Sequence, residues 1–98
     1  MYYTYILLCA DGTLYTGITT DAARRLAQHR EGVGAKYTRS HRGERFLALW
    51  QSDTRAAASR LEYRIKRLSR AQKEQLIAGA ALPEGVAAED YRRLEPAV

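Results

Sequence analysis

The spacing of apolar and polar residues divides the chain into short strands and helices. Tyr2 to Cys9 is dense in Tyr, Thr, Ile and Leu, the composition of a pleated, partly buried strand. Asp11-Gly12 is a strong hairpin signal, and Thr13 to Ile18 forms the second strand. Thr19-Thr20-Asp21 supplies N-cap side chains for a helix from about Asp21 to Arg30. Gly32 and Gly34 end that helix and open a polar loop through Arg42. Glu44 to Gln51, with Phe46, Leu47, Leu49 and Trp50, reads as a third strand. Ser52-Asp53-Thr54 caps a second helix to about Leu68, with Ala57, Leu61, Ile65 and Leu68 at helical spacing. Ser69 and Gln72 form a capping box for a third helix to about Ala78, closed by Gly79. Pro83 breaks the pattern before an Ala-, Glu- and Arg-rich tail with room for one short helix near Ala87–Leu94.

The order β-β-α-β-α-α predicts one α/β (α+β) domain, a small three-stranded, mainly antiparallel sheet flanked by helices. The domain covers residues 2–80 and the tail residues 81–98. A chain of 98 residues suits one core and is too short for two. An apolar content of 46% excludes wholesale disorder. No apolar run approaches the roughly 18 residues of a membrane span. No basic leader with a long apolar run opens the chain. Lone Cys9 has no internal disulfide partner, and with two His it makes no zinc pattern. The expectation is a small cytoplasmic protein without membrane contact, monomeric by default, with a dimer through the tail left open.

Charge changes that picture. The net charge is +5, but residues 24–73 hold 14 Lys or Arg against four acids, while both flanking segments are acidic. A middle half at +10 is a candidate footprint for a polyanion. Thirteen of the 16 basic residues are Arg, whose planar fork of donors suits phosphate. A plain solvated basic surface, with Arg favoured by codon usage, would carry the same composition.

Aromatic content narrows the site. Seven of nine aromatics are Tyr, and Tyr2, Tyr3, Tyr5 and Tyr15 fall in the first hairpin. Strand propensity explains part of this, but a buried Tyr hydroxyl needs a partner. A two-residue Asp11-Gly12 loop would put Tyr5 and Tyr15 on opposite faces. A three-residue loop Ala10-Asp11-Gly12, with Gly12 left-handed, pairs Leu7 with Tyr15 and Tyr5 with Gly17. The second arrangement places Tyr5, Tyr15 and Gly17 together and leaves space beside Tyr5.

Arg25 and His29, at i and i+4, share a face of the first helix, as phosphate ligands or as ordinary surface residues. Glu62 is the single acid between Thr54 and Lys73, at the margin of an apolar stripe. It suits either an ion pair with a nearby Arg or a site for Mg²⁺ or Mn²⁺, hard ions that take one or two carboxylates plus water and substrate phosphate.

These pieces in order resemble the GIY-YIG nuclease superfamily, and its short stand-alone bacterial branch in particular. Tyr3-Thr4-Tyr5 and Tyr15-Thr16-Gly17 resemble its paired motifs, and Arg25, His29 and Glu62 follow at the family's spacing. Gly34-Ala35-Lys36-Tyr37-Thr38-Arg39 and the run Lys66 to Lys73 add to the likeness, which covers residues 2–80. Tyr3, Thr4 and Thr16 depart from the motif letters at largely structural positions. These 98 residues contain no Asn for the late position some members use, and the expectation is a domain without an appended DNA-binding module.

The resemblance implies metal-dependent phosphodiester hydrolysis in nucleic acid, with DNA as the first candidate and repair or processing as the setting. Tyr5 or Tyr15 would deprotonate water, with Arg25 or the metal as the cation a phenol needs near neutral pH. Arg25 would also stabilise the developing phosphorane charge. His29 would orient a tyrosine or assist proton transfer, Glu62 would hold one Mg²⁺ or Mn²⁺, and Gly17 would allow close packing. Lys36, Tyr37, Arg39, Arg42, Lys66 and Lys73 are further candidates for backbone phosphates. The alternatives are a non-catalytic nucleic-acid-binding module of the same fold, and a basic accessory of a ribonucleoprotein.

Overall fold

The computed structural model describes residues 1–95. Four antiparallel strands, β1 (Tyr2–Cys9), β2 (Leu14–Thr19), β3 (Gly43–Ser52) and β4 (Arg92–Leu94), form one sheet in the order β2-β1-β3-β4. Helices α1 (Ala22–Glu31) and α2 (Lys36–Ser40) belong to one face, and α3 (Arg55–Lys66) and α4 (Arg70–Ile77) to the other. The predicted strand and helix order is present, with two additions. No described helix is long and apolar enough to cross a membrane.

The first hairpin has the odd-length loop. Cys9 and Thr13 close it, and Gly12 adopts φ +84°, a conformation that L side chains rarely tolerate. The register pairs Leu7 with Tyr15 and Tyr5 with Gly17. Tyr5 and Tyr15 therefore share one face, as the loop length predicts. Central β1 is covered on both sides, which explains its nearly unbroken apolar run. Tyr5, Leu7 and Cys9 pack with Leu26, Phe46 and Leu49, while Ile6 packs with Ala48, Trp50, Leu61, Ile65 and Leu76.

Local signals set the helix ends. The Asp21 carboxylate accepts from the Arg24 N–H at 3.1 Å, and the Thr54 hydroxyl from the Ala57 N–H at 3.1 Å. The Ser69–Gln72 capping box forms in both directions. Helix α3 stops at Lys66 rather than Leu68, because Arg67 and Leu68 tighten into i→i+3 bonds before the Ser69 cap.

The segment expected as a polar loop through Arg42 contains α2. Thr38 is fully buried; its hydroxyl caps the turn locally through the N–H and C=O of Ala35 and also meets His29 Nδ1 at 2.9 Å, so a tertiary contact joins the local cap in holding this turn. The tail expected to carry a short helix instead makes a 3₁₀ turn at Ala88–Asp90 and then β4. It packs back on the domain. Tyr91 Oη donates to the Ala57 carbonyl at 2.6 Å, and the Arg93 guanidinium lies 5.1 Å from the Trp50 ring centre. Leu94 joins the Tyr5 side of the core.

Gly17 tests this packing. A Cβ there would lie 2.5 Å from Tyr5 Oη and 2.8 Å from its Cζ. Gly17→Ala is expected to lower stability by about 1–3 kcal/mol through overpacking, read as a fall in the urea midpoint. In a Tyr5→Phe background the cost should shrink, because the nearest clashing atom is gone. An unchanged midpoint would show that the phenol does not seat against β2.

Candidate functional site

A buried hydrogen-bonded chain forms the centre of the site. Tyr5 from β1, His29 from the last turn of α1 and Thr38 from α2 are each 0% exposed. Tyr5 Oη lies 2.7 Å from His29 Nε2, and His29 Nδ1 lies 2.9 Å from Thr38 Oγ1. The single Thr38 hydroxyl proton goes to the Ala35 carbonyl at 3.1 Å. Thr38 Oγ1 therefore accepts from His29 Nδ1–H, which leaves Nε2 to accept the Tyr5 proton. The network is complete only with a neutral imidazole and a protonated phenol.

Electrostatics favour that state. Burial, and then the Arg25 guanidinium, push His29 down from 6.5 to about 4. Burial pushes Tyr5 up from 10.0 to about 12, against an opposing pull from Arg25. Tyr15 and Glu62 add to the rise at Tyr5 through their charge.

Their positions differ. The Tyr15 ring is half-buried, 5.5 Å from His29 and stacked 5.4 Å from Tyr37. Its hydroxyl makes no hydrogen bond to the described residues, so it is free for solvent or substrate. Arg25 Nη1 donates to Gln28 Oε1 at 3.1 Å, while its buried Nε has no partner among the described residues. Glu62 comes from α3, which packs on the other face of the sheet from Tyr5, Tyr15 and His29. Its ion-pair partner is Lys66 Nζ at 3.2 Å, one helical turn on, not the Arg that the sequence suggested.

Among the predicted phosphate contacts, Lys36, Arg39 and Arg42 are exposed and Lys73 is half-buried. Tyr37 is held by its own structure. Its ring stacks on His41, 4.3 Å between centres, and its hydroxyl donates to Thr13 Oγ1 at 2.7 Å. Sequence reasoning assigned Thr38 no role. Its only signal was its place in the Gly34–Arg39 string, since no periodicity points to it.

The metal question turns on the donor set. Among the described residues no three His, Cys, Asp or Glu side chains gather into a cage. One accessible carboxylate fits a hydrated Mg²⁺ or Mn²⁺ that takes its remaining ligands from water and substrate phosphate. It does not fit an ion held by protein alone.

Acid should unpick the buried chain. Between about pH 6.5 and 4 the unfolded chain takes up a proton on His29 that the folded chain refuses. Stability therefore falls as pH drops through that window, by up to about 3 kcal/mol, and this contribution levels off below it. Urea unfolding at several pH values checks this. His29→Gln should remove that part of the slope, and an equal slope in both proteins would refute the assignment. Thr38→Val strands the Nδ1 proton and should cost about 1–3 kcal/mol at neutral pH.

Comparison with known proteins fits this geometry. Residues 1–75 match the family model described as the GIY-YIG catalytic domain. The UPF0213 protein of Halalkalibacterium halodurans is 50% identical over 76 residues, 78% of this chain and 81% of that protein. The UPF0213 protein of Halobacterium salinarum is 51% identical over 76 residues, 78% of this chain and 99% of its own length. The solution NMR structure of the UPF0213 protein from Bacillus halodurans aligns with a TM-score of 0.50 at 48% identity, over 80% of this chain and 84% of that one. A site built from the paired tyrosine motifs, on a matching fold and among relatives half-identical in sequence, leads to one assignment: this chain belongs to the GIY-YIG family.

Proposed function

We propose that the protein binds the phosphate backbone of nucleic acid, DNA first, at the face that carries Tyr15, Arg25 and Glu62. One observation carries this reading. Of the 14 Lys and Arg in residues 24–73, only Lys66 and Arg70 meet a carboxylate among the described residues. The rest form a positive field without internal counterions, suited to releasing the condensed ions of a polyanion.

Phosphodiester hydrolysis is the second reading, favoured by the ordered Tyr5–His29–Thr38 chain beside Arg25. Such a preorganised neutral network is more than electrostatic binding requires. In this reading Tyr5 is a positioning residue, because it is fully buried and its proton is committed to His29. Tyr15 is the tyrosine left to take a proton from water. Arg25 is the cation beside the tyrosines and meets the phosphorane oxygens. Glu62 would hold the divalent ion, which would stabilise the leaving oxygen as a Lewis acid.

Fluorescence anisotropy with a labelled duplex tests the first reading. The slope of log K against log salt should be about −4 or steeper, at about −0.9 per phosphate. Binding that ignores salt would refute it. Incubation with plasmid and branched DNA, with and without Mn²⁺, tests the second. Arg25→Ala should slow any cutting by roughly 100- to 1,000-fold and cost about one phosphate contact of affinity, while Glu62→Ala should abolish cutting and keep its affinity. Wild-type protein that binds but never cuts leaves the binding module. Cutting that survives both substitutions removes the site from the chemistry.

A further inference from the structure

A second feature lies at the C-terminal end of β2, where the first turns of α1 and α3 approach each other. A cleft of about 310 Å³ opens there, lined by Arg24, Arg25 and Arg55 together with Thr19 and Gln28. The three guanidinium groups have no carboxylate partner among the described residues. Asp21, the one acid on the wall, is engaged in capping α1 through the Arg24 N–H. Arg25 Nε is buried without a partner among the described residues. Three like charges converging on one concave site repel one another, and an anion in the cleft removes that repulsion. The planar forks suit a tetrahedral oxyanion with several acceptor oxygens.

We propose that this cleft is a phosphate subsite, and that it takes a backbone phosphate neighbouring the one at Arg25 and Glu62. The placement supports a backbone over a free phosphate. Arg25 belongs to both sites, so their occupants are close neighbours. Arg55 and Glu62 fall on one stripe of α3, about two turns or ~10 Å apart along its axis. A single strand lying along β2 and α3 would present consecutive phosphates to both. Arg24 and Arg55 then fix where the strand lies, and neither belongs to the site at Tyr15. The inference rests on the nucleic-acid reading and is tested separately from cutting.

The test compares R24Q/R55Q with the charge-matched control R45Q/R92Q, whose positions are exposed and far apart in the sheet. Both retain Arg25, and circular dichroism checks that both fold. With a labelled duplex, R24Q/R55Q should flatten the salt slope by about 2, close to two lost phosphate contacts at ~0.9 each. The control should change it by less than half as much. Equal effects in the two variants, or none, overturn the subsite. Millimolar inorganic phosphate or adenosine monophosphate should not displace the duplex. If either does so from wild type and not from R24Q/R55Q, the cleft holds a free phosphate and the backbone assignment is wrong. If wild type fails to bind duplex at all, the parent reading has failed. Calorimetry with inorganic phosphate then decides the cleft by itself, since heat from wild type but not from R24Q/R55Q keeps a phosphate site and its absence removes it.

Discussion

The hydrogen bond from Tyr5 to His29 constrains more of this structure than any other contact. Both groups are sealed from water, so each polar atom must find its partner inside the protein. The phenol can reach the imidazole only because β2 presents a glycine beneath it. The imidazole can accept only if its other nitrogen gives its proton away, which demands a buried acceptor from another element. Thr38 fills that need, and α2 exists around it. A hairpin register, a glycine, a helix end and a five-residue helix therefore depend on one proton's location.

That dependence explains the site's placement at an edge of the sheet. Tyr5, Tyr15, His29 and Arg25 belong to the α1 side and Glu62 to the α3 side, with the sheet between them. An edge strand allows groups from both faces to meet, which a central strand would block. Arg25 stands at the junction. Its charge lowers the affinity of His29 for a proton, opposes the rise at Tyr5, and extends into the neighbouring cleft. One guanidinium thus links the dry network to the wet surface.

Much of this was legible in the sequence, and the gaps have physical causes. The hairpin register followed from loop length and the period-two alternation of side chains. The caps at Asp21, Thr54 and Ser69 are local signals and formed locally. Helix α2 was not legible, because five polar residues carry no helical period and their fold comes from contacts of Tyr37 and Thr38 with distant partners. Strand β4 was missed for the same reason. Arg92-Arg93-Leu94 shows no alternation worth naming, yet Leu94 finds the core and Arg93 finds the Trp50 ring. Glu62 stood out as the exception in a basic run, but its Lys66 partner needed the helix to be seen. Arg24 and Arg55 are separated in the chain by most of α1, α2 and β3, and only the fold brings them to one cleft.

The two family tyrosines, alike in sequence, are unlike in environment. Tyr5 is sealed and committed, with a phenol that burial pushes up to about 12, so it keeps its proton at neutral pH. Tyr15 is half-buried, with a hydroxyl that makes no hydrogen bond to the described residues, so it is the more accessible of the two. Glu62 shows the same openness. Its bond to Lys66 is an i,i+4 pair with the ammonium half in water, a kind worth only about 0.3–0.5 kcal/mol. So weak a pairing does not lock the carboxylate. A phosphate attracting Lys66, or a cation attracting Glu62, would outweigh it at little cost. Rigid groups lie inside and exchangeable ones at the rim, the arrangement expected of a surface built to receive a charged chain.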